Sequence, residues 1–155
     1  MKGDKKVIET LNSLLARELT VVSQYMVHAE MCENWGYVKL HDGIQKRAKV
    51  EMKHAEMLIG RIIFLEGIPI VSELEKMHIG GDIPQMFASD HEAEIDASKR
   101  YNEGILVCGN AKDYASKEIL EKILNEEDGH ISDIEEVLDQ IKQMGIQIFL
   151  SKQIG

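Results

Sequence analysis

The chain has 155 residues, 44% hydrophobic and 29% charged, with 5% aromatics and two prolines, the balance of one soluble, helix-rich globular domain with a substantial core. A formal charge of −9 excludes a nucleic-acid binder, which needs a basic face, and suits a protein that attracts cations. No stretch is apolar for long enough to be a signal peptide or a membrane span, and Cys32 and Cys108 form no Cys-x-x-Cys, so free thiols in a reducing cytoplasmic compartment are expected.

In chain order, Asp4 caps a first predicted helix over about 5–34, with Leu11, Leu15, Glu18, Val22, Tyr25 and Ala29 on one stripe. Trp35-Gly36 breaks it. A second helix is predicted over about 37–65, with Ile44, Arg47, Glu51, His54, Leu58 and Ile62 facing inward and Gly67 and Pro69 as its stop. Residues 66 to 82 lack helical period and are long enough to run the length of a bundle. Asp82 and Pro84 open a third helix over about 83–109, whose stripe carries Phe87, His91, Glu94, Tyr101, Ile105 and Cys108. Asp113 caps a fourth, over about 113–144, carrying Ile119, Ile123, Glu127, His130, Ile134, Leu138 and Ile141. Gly145 stops it before a short apolar fifth helix, about 146–153, expected to need neighbouring subunits to bury it. Two short connections around one long crossover predict an all-α, ferritin-like four-helix bundle spanning 1–155 as a single domain.

One constellation occurs twice. Glu18 precedes Glu51-Met52-Lys53-His54 by 33 positions, and Glu94 precedes Glu127-Asp128-Gly129-His130 by the same 33. Residues three apart share a helix face, so four inward segments offer four carboxylates and two imidazoles to one pocket. A lone glutamate is ordinarily a solvated surface residue, and a lone core histidine a satisfied one. Four glutamates on otherwise apolar stripes, two of them with a histidine at i+3, are not explained by packing. Two divalent ions would neutralise the four charges, which otherwise repel one another at a cost to burial. Mixed carboxylate and imidazole ligation suits iron or manganese better than zinc, and spacing does not separate the two. Glu51 and Glu127 read as bridging ligands, Glu18 and Glu94 as terminal ones. Gly129 costs helix stability beside His130, and serves either to loosen that histidine or to admit a close helix.

Over essentially its whole length the chain resembles bacterioferritins, through Met1-Lys2-Gly3-Asp4, Glu51-Met52-Lys53-His54-Ala55, Phe64-Leu65-Glu66-Gly67 and Glu126-Glu127-Asp128-Gly129-His130-Ile131. The resemblance implies a ferroxidase: a di-iron centre of Glu18, Glu51, His54, Glu94, Glu127 and His130 oxidising Fe(II) with O₂ or H₂O₂. It also implies storage of the ferric mineral in a homo-oligomeric cage of about 24 subunits. Met52 would be the axial ligand of a b-type haem shared between two subunits, in a pocket lined by Leu19, Ser23 and Met26. Asn34 and Glu66 match positions of an inter-subunit iron channel, and a ferredoxin-type electron donor would serve iron release. This chain departs from the family at Lys46 and Val50, where some members place a histidine and an aspartate that hold an extra iron, so that auxiliary site is expected to be missing. The usual acid two residues after His130 is Ser132, with Asp133 next to it. The alternative is a non-storage di-iron peroxidase, rubrerythrin-like and a small oligomer, although rubrerythrins carry a cysteine-ligated iron module for which this sequence has no motif.

Overall fold

The computed structural model describes all 155 residues as five helices without strands: α1 (Lys5–Asn34), α2 (Val38–Phe64), α3 (Ile83–Asn110), α4 (Tyr114–Met144) and α5 (Ile146–Ser151). No helix is long and apolar enough to cross a membrane. The starts follow the capping logic. Asp4 accepts from the amides of Lys6 and Val7, Asp82 from Gln85, and Asp113 from Ser116. The short α5 begins without a side-chain cap, and so does α2. The end of α2 corrects the expected stop: Glu66, at φ 62°, takes the left-handed conformation after it. Gly67 is required for space instead, because a Cβ there would lie 2.7 Å from Ile8 Cγ2.

α1 and α2 form one hairpin, α3 and α4 the other, and residues 65–82 carry the chain between them. This crossover is held to α1 through its backbone. The amides of Ile70, Glu75, His78 and Gly80 donate to Asn12 Oδ1, Thr20 Oγ1, Gln24 Oε1 and His28 Nε2. A non-helical segment thus has its amides satisfied by a polar stripe on a helix. Arg100 of α3 ties down the same segment through Glu75, at 2.8 Å.

The apolar core is divided. One cluster gathers Leu11, Leu15, Leu58, Ile62, Tyr101, Cys108 and Leu120, and the other Tyr25, Cys32, Ile44, Met86, Phe87, Ile134 and Phe149. Between them lies a buried polar layer at the middle of the four long helices. Two expectations change here. His91 is not a core residue: it is half-buried and bonds Glu135 across to α4 at 2.9 Å. α5 does not wait for neighbours either, because Phe149 is 1% exposed within its own bundle, while Ile148 and Ile154 remain exposed.

Replacing Thr20 by valine keeps the shape and removes the acceptor for the Glu75 amide. The expected result is a loss of about 1 kcal/mol in denaturant unfolding and faster hydrogen exchange at residue 75. Unchanged exchange there would show that the crossover is held by other contacts.

Candidate metal centre

All six residues of the doubled pattern meet in the polar layer. Glu18, Glu51, His54, Glu94 and Glu127 are fully buried, and only the His130 side chain reaches the surface, at 12% exposure. They form two overlapping groups, Glu18, Glu51, His54 and Glu127 on one side, and Glu51, Glu94, Glu127 and His130 on the other. Within each group one ligand atom per residue lies within 4.8 Å of the others. Glu51 and Glu127 belong to both. The imidazole rings of His54 and His130 lie 6.3 Å apart, centroid to centroid, with their planes 30° from parallel.

Both histidines point Nδ1 inward. His54 Nδ1 is 2.9 Å from Glu51 Oε2 and equally 2.9 Å from Glu127 Oε1, so one ring nitrogen faces both shared carboxylates. His130 Nδ1 is 3.0 Å from Glu51 Oε1. Their outer nitrogens differ. His54 Nε2 is held at 2.5 Å by Glu126, whereas His130 Nε2 has no such carboxylate. Under the offset of 76 that relates the two halves, the counterpart of Glu126 is Val50. One histidine is therefore clamped and the other is free on its outer side.

The terminal glutamates are held crosswise. Tyr25 of α1 donates to Glu94 of α3, and Tyr101 of α3 donates to Glu18 of α1. These tyrosines are also 76 apart, a signal present in the sequence that a search for metal ligands alone passes over. Burial, followed by the adjacent carboxylates, pushes both phenols well above their ordinary range.

One residue escaped the sequence reading altogether. Arg17 is 2% exposed, and its guanidinium stands among the four carboxylates. Nη1 lies 3.3 Å from Glu18, 3.5 Å from Glu127 and 3.6 Å from Glu51, while Nη2 lies 3.6 Å from Glu94 and donates to the Ala93 carbonyl at 3.1 Å. Burial works against its charge, but the four carboxylates overcome this and hold its pKa well above the usual value. Even so, one cation does not compensate four anions. Burial and the neighbouring carboxylates push Glu51 and Glu127 well above the glutamate range. Burial opposes ionisation of Glu94 too, yet hydrogen bonds with Glu127 and His130 and the charge of Arg17 hold it well below that range. Glu94 Oε2 and Glu127 Oε1 are buried without a hydrogen-bond donor. Orphaned carboxylate oxygens in a shell of oxygen and imidazole donors fit hard divalent cations.

The remaining candidates lie elsewhere. Met52 and Met26 sit on the outer surface, 41% and 57% exposed, with half-buried Leu19 and Ser23 nearby on the α1 ridge. The Ser23 hydroxyl is satisfied by the Leu19 carbonyl of its own helix. Asn34 and Glu66 are not brought together. Asn34 ends α1, while Glu66 lies beside the start of that helix, 3.6 Å from the Met1 amine, so roughly 45 Å of helix separates them. Lys46 and Val50 line a cavity of about 330 Å³ beside His130, together with Arg47 and Asp133. Gly129 has open space around it, so close helix packing within the subunit does not explain it. Cys32 and Cys108 are buried free thiols, pushed up to about 11 chiefly by burial.

The carboxyl shifts set a pH dependence for the metal-free protein. Glu51 and Glu127 keep protons when folded that the unfolded chain releases above about 4.5, so their contribution is full below that value and is lost as pH rises. Glu94, held low, acts in the opposite sense, and only at acid pH. In chelator, the calorimetric unfolding midpoint is expected to fall as pH rises above about 4.5, and saturation with a divalent ion to abolish the fall. A midpoint rising over that range would contradict the assignment.

A ferritin-like domain model matches residues 8–144. The chain is 38% identical to a bacterioferritin of Brucella melitensis over 94% of its length and 90% of that protein. It is 38% identical to one of Streptomyces coelicolor, covering 99% and 92% of the two chains. It is 34% identical to one of Mycobacterium leprae, covering 100% and 98%. A crossover bundle with a doubled Glu and Glu-x-x-His layer at its middle, matched along its length to these relatives, belongs to the ferritin-like family, and within it to the bacterioferritins.

Proposed function

We propose that the protein stores and detoxifies iron, oxidising Fe(II) at a di-iron centre and holding the ferric product as a mineral within a closed cage of its own copies. The observation that carries this is the pair of overlapping ligand groups sharing Glu51 and Glu127. Two ions placed there would each have one histidine and one terminal glutamate, His54 with Glu18 and His130 with Glu94, and would share the two bridging carboxylates. Two ferrous ions supply two electrons, the number that takes O₂ to H₂O₂ or H₂O₂ to two waters. Tyr25 and Tyr101 keep the terminal carboxylates aimed as the charge of the centre changes, and Glu126 fixes the ring of His54. The bacterioferritin relatives support iron as the cargo.

Iron leaves the centre on the side of His130. That histidine is the exposed ligand with no outer partner, next to the helix-loosening Gly129, and it opens on the cavity lined by Lys46 and Val50. Neither of these holds ferrous iron, so an auxiliary inner ion lacks the two ligands those positions would supply and the centre acts as a pore. A b-type haem would take an axial ligand from Met52, exposed on the outer face, where two subunits would pair. With a thioether from each side it would supply one-electron transfer for iron release, fed by a ferredoxin-type donor in the cytoplasm. Asn34 and Glu66, at opposite ends of one bundle, can line a common channel only as residues of different subunits.

One observation favours the smaller, peroxidase-like alternative: Phe149 already docks α5 on its own bundle, so the tail demands less from neighbours. Size-exclusion chromatography separates the two, because a cage elutes far ahead of a dimer.

Glu51→Ala and Glu127→Ala are each expected to abolish the fast phase of ferrous oxidation in stopped flow while leaving the helical signal intact. Met52→Leu should give haem-free protein that oxidises iron at the original rate. Fast oxidation surviving in both glutamate variants would refute the centre.

After one round of oxidation and an anaerobic rest, fresh ferrous iron should again be oxidised in a full fast phase. Gly129→Ala should stabilise α4 by about 1 kcal/mol and slow that recovery. A diferric absorbance that persists unexchanged through many turnovers would show a fixed cofactor instead of a pore.

A further inference from the structure

The guanidinium of Arg17 occupies the space that cations would otherwise fill between the carboxylates. Counted as charges, four glutamates and two divalent ions are neutral, so a seventh group bearing +1 within 3.6 Å of all four glutamates opposes loading. Its seat is also incomplete. Nε is buried and has no acceptor, and the one hydrogen bond to backbone is to Ala93, on α3. Directly outside lies a groove of about 340 Å³ between α1, α3 and the crossover, which Arg17 itself lines. Three acids line it too, Glu75, Glu92 and Asp96, against the cation Lys76. Arg100 already engages Glu75 and Asp96, while Glu92, next to Ala93, forms no ion pair. The same side chain therefore separates the metal layer from an acidic groove and has carboxylates on both sides.

We infer that Arg17 is a gating counter-ion with two seats: inward among Glu18, Glu51, Glu94 and Glu127 when the site is empty, and outward on the acidic groove at Glu92 and Asp96 when divalent ions enter. Inward, it stabilises a cluster of buried anions that would otherwise repel one another. Outward, it clears the site and opens the passage between groove and metal layer. Ion entry and arginine exit are then one exchange, in which charge moves out as charge moves in. The inference rests on the dimetal reading of the site.

The test uses cobalt(II), which needs no oxidant, titrated by its absorption into the assembled metal-free protein. The wild type is expected to bind two ions per subunit, and Arg17→Gln to bind the second about tenfold more tightly. Arg17→Lys, which keeps the charge, should bind like the wild type. Thermal unfolding gives an independent reading: Arg17→Gln should unfold at a lower temperature than the wild type without metal, and at an equal or higher one with cobalt. Glu92→Gln with Asp96→Asn, which removes the outer seat, should weaken cobalt binding several-fold in the wild type and leave it unchanged in an Arg17→Gln background. Two ions bound with equal affinity by wild type and Arg17→Gln overturn the inference alone. So does a groove effect of the same size in both backgrounds, which would be general electrostatics. A wild type that fails to take up two ions overturns the dimetal reading with it, and an Arg17→Gln variant that alone fails to do so overturns only the inference.

Discussion

Everything in this bundle is arranged around four carboxylates placed where water does not reach. Glu18, Glu51, Glu94 and Glu127 are each fully buried, and a cluster of that kind survives only if each carboxylate is paired, protonated or hydrogen-bonded. The protein uses all three devices. Arg17 pairs, Glu51 and Glu127 are pushed towards their protonated forms, and two tyrosines donate hydrogen bonds. The remaining imbalance is what makes the layer receptive to divalent ions. A comfortable apolar core at the same height would be more stable and would bind nothing.

The polar layer also explains why the core comes in two pieces. Each apolar cluster must hold its end of the bundle firmly enough that the charged layer cannot spread the helices apart. Leu58 and Ile62 in one and Phe87 and Ile134 in the other do this work. The twofold repetition of the sequence distributes these demands evenly. Glu, Glu-x-x-His, Tyr and Cys all recur at an offset of 76. Where the repetition fails, at Glu126 against Val50 and at Arg17 against Ala93, the two sides of the centre become unequal. One histidine is fixed and one free, and one flank holds a guanidinium.

Helix order, caps and the six residues that converge in the polar layer were legible because each rests on a local or periodic signal. Asp4, Asp82 and Asp113 announce helix starts, and a glutamate on an apolar stripe stands out. Arg17 was not legible, because an arginine beside Glu18 on a helix reads as a solvated charge. Only the packing of α3 against α1 shows that it turns inward. The docking of Phe149 was likewise hidden, since a short apolar tail looks the same whether it folds onto its own bundle or onto a neighbour. The left-handed turn at Glu66 was hidden too, since nothing local marks a glutamate for that conformation, whereas Gly67 is needed for its missing Cβ against Ile8 and Ile62.

The crossover is attached to α1 by its amides and not by its side chains. Four backbone hydrogens, at Ile70, Glu75, His78 and Gly80, find their acceptors on Asn12, Thr20, Gln24 and His28. Proline is barred at those four positions, and Gly80 admits no side chain, because a Cβ there would fall 2.3 Å from the Met86 nitrogen. Beside these fixed points Ile68, Val71 and Leu74 are exposed to solvent. The strap is thus a rewritable surface on an invariant rail: its outward residues can diverge to suit new neighbours while its path over the bundle, and the groove beneath it, stay the same.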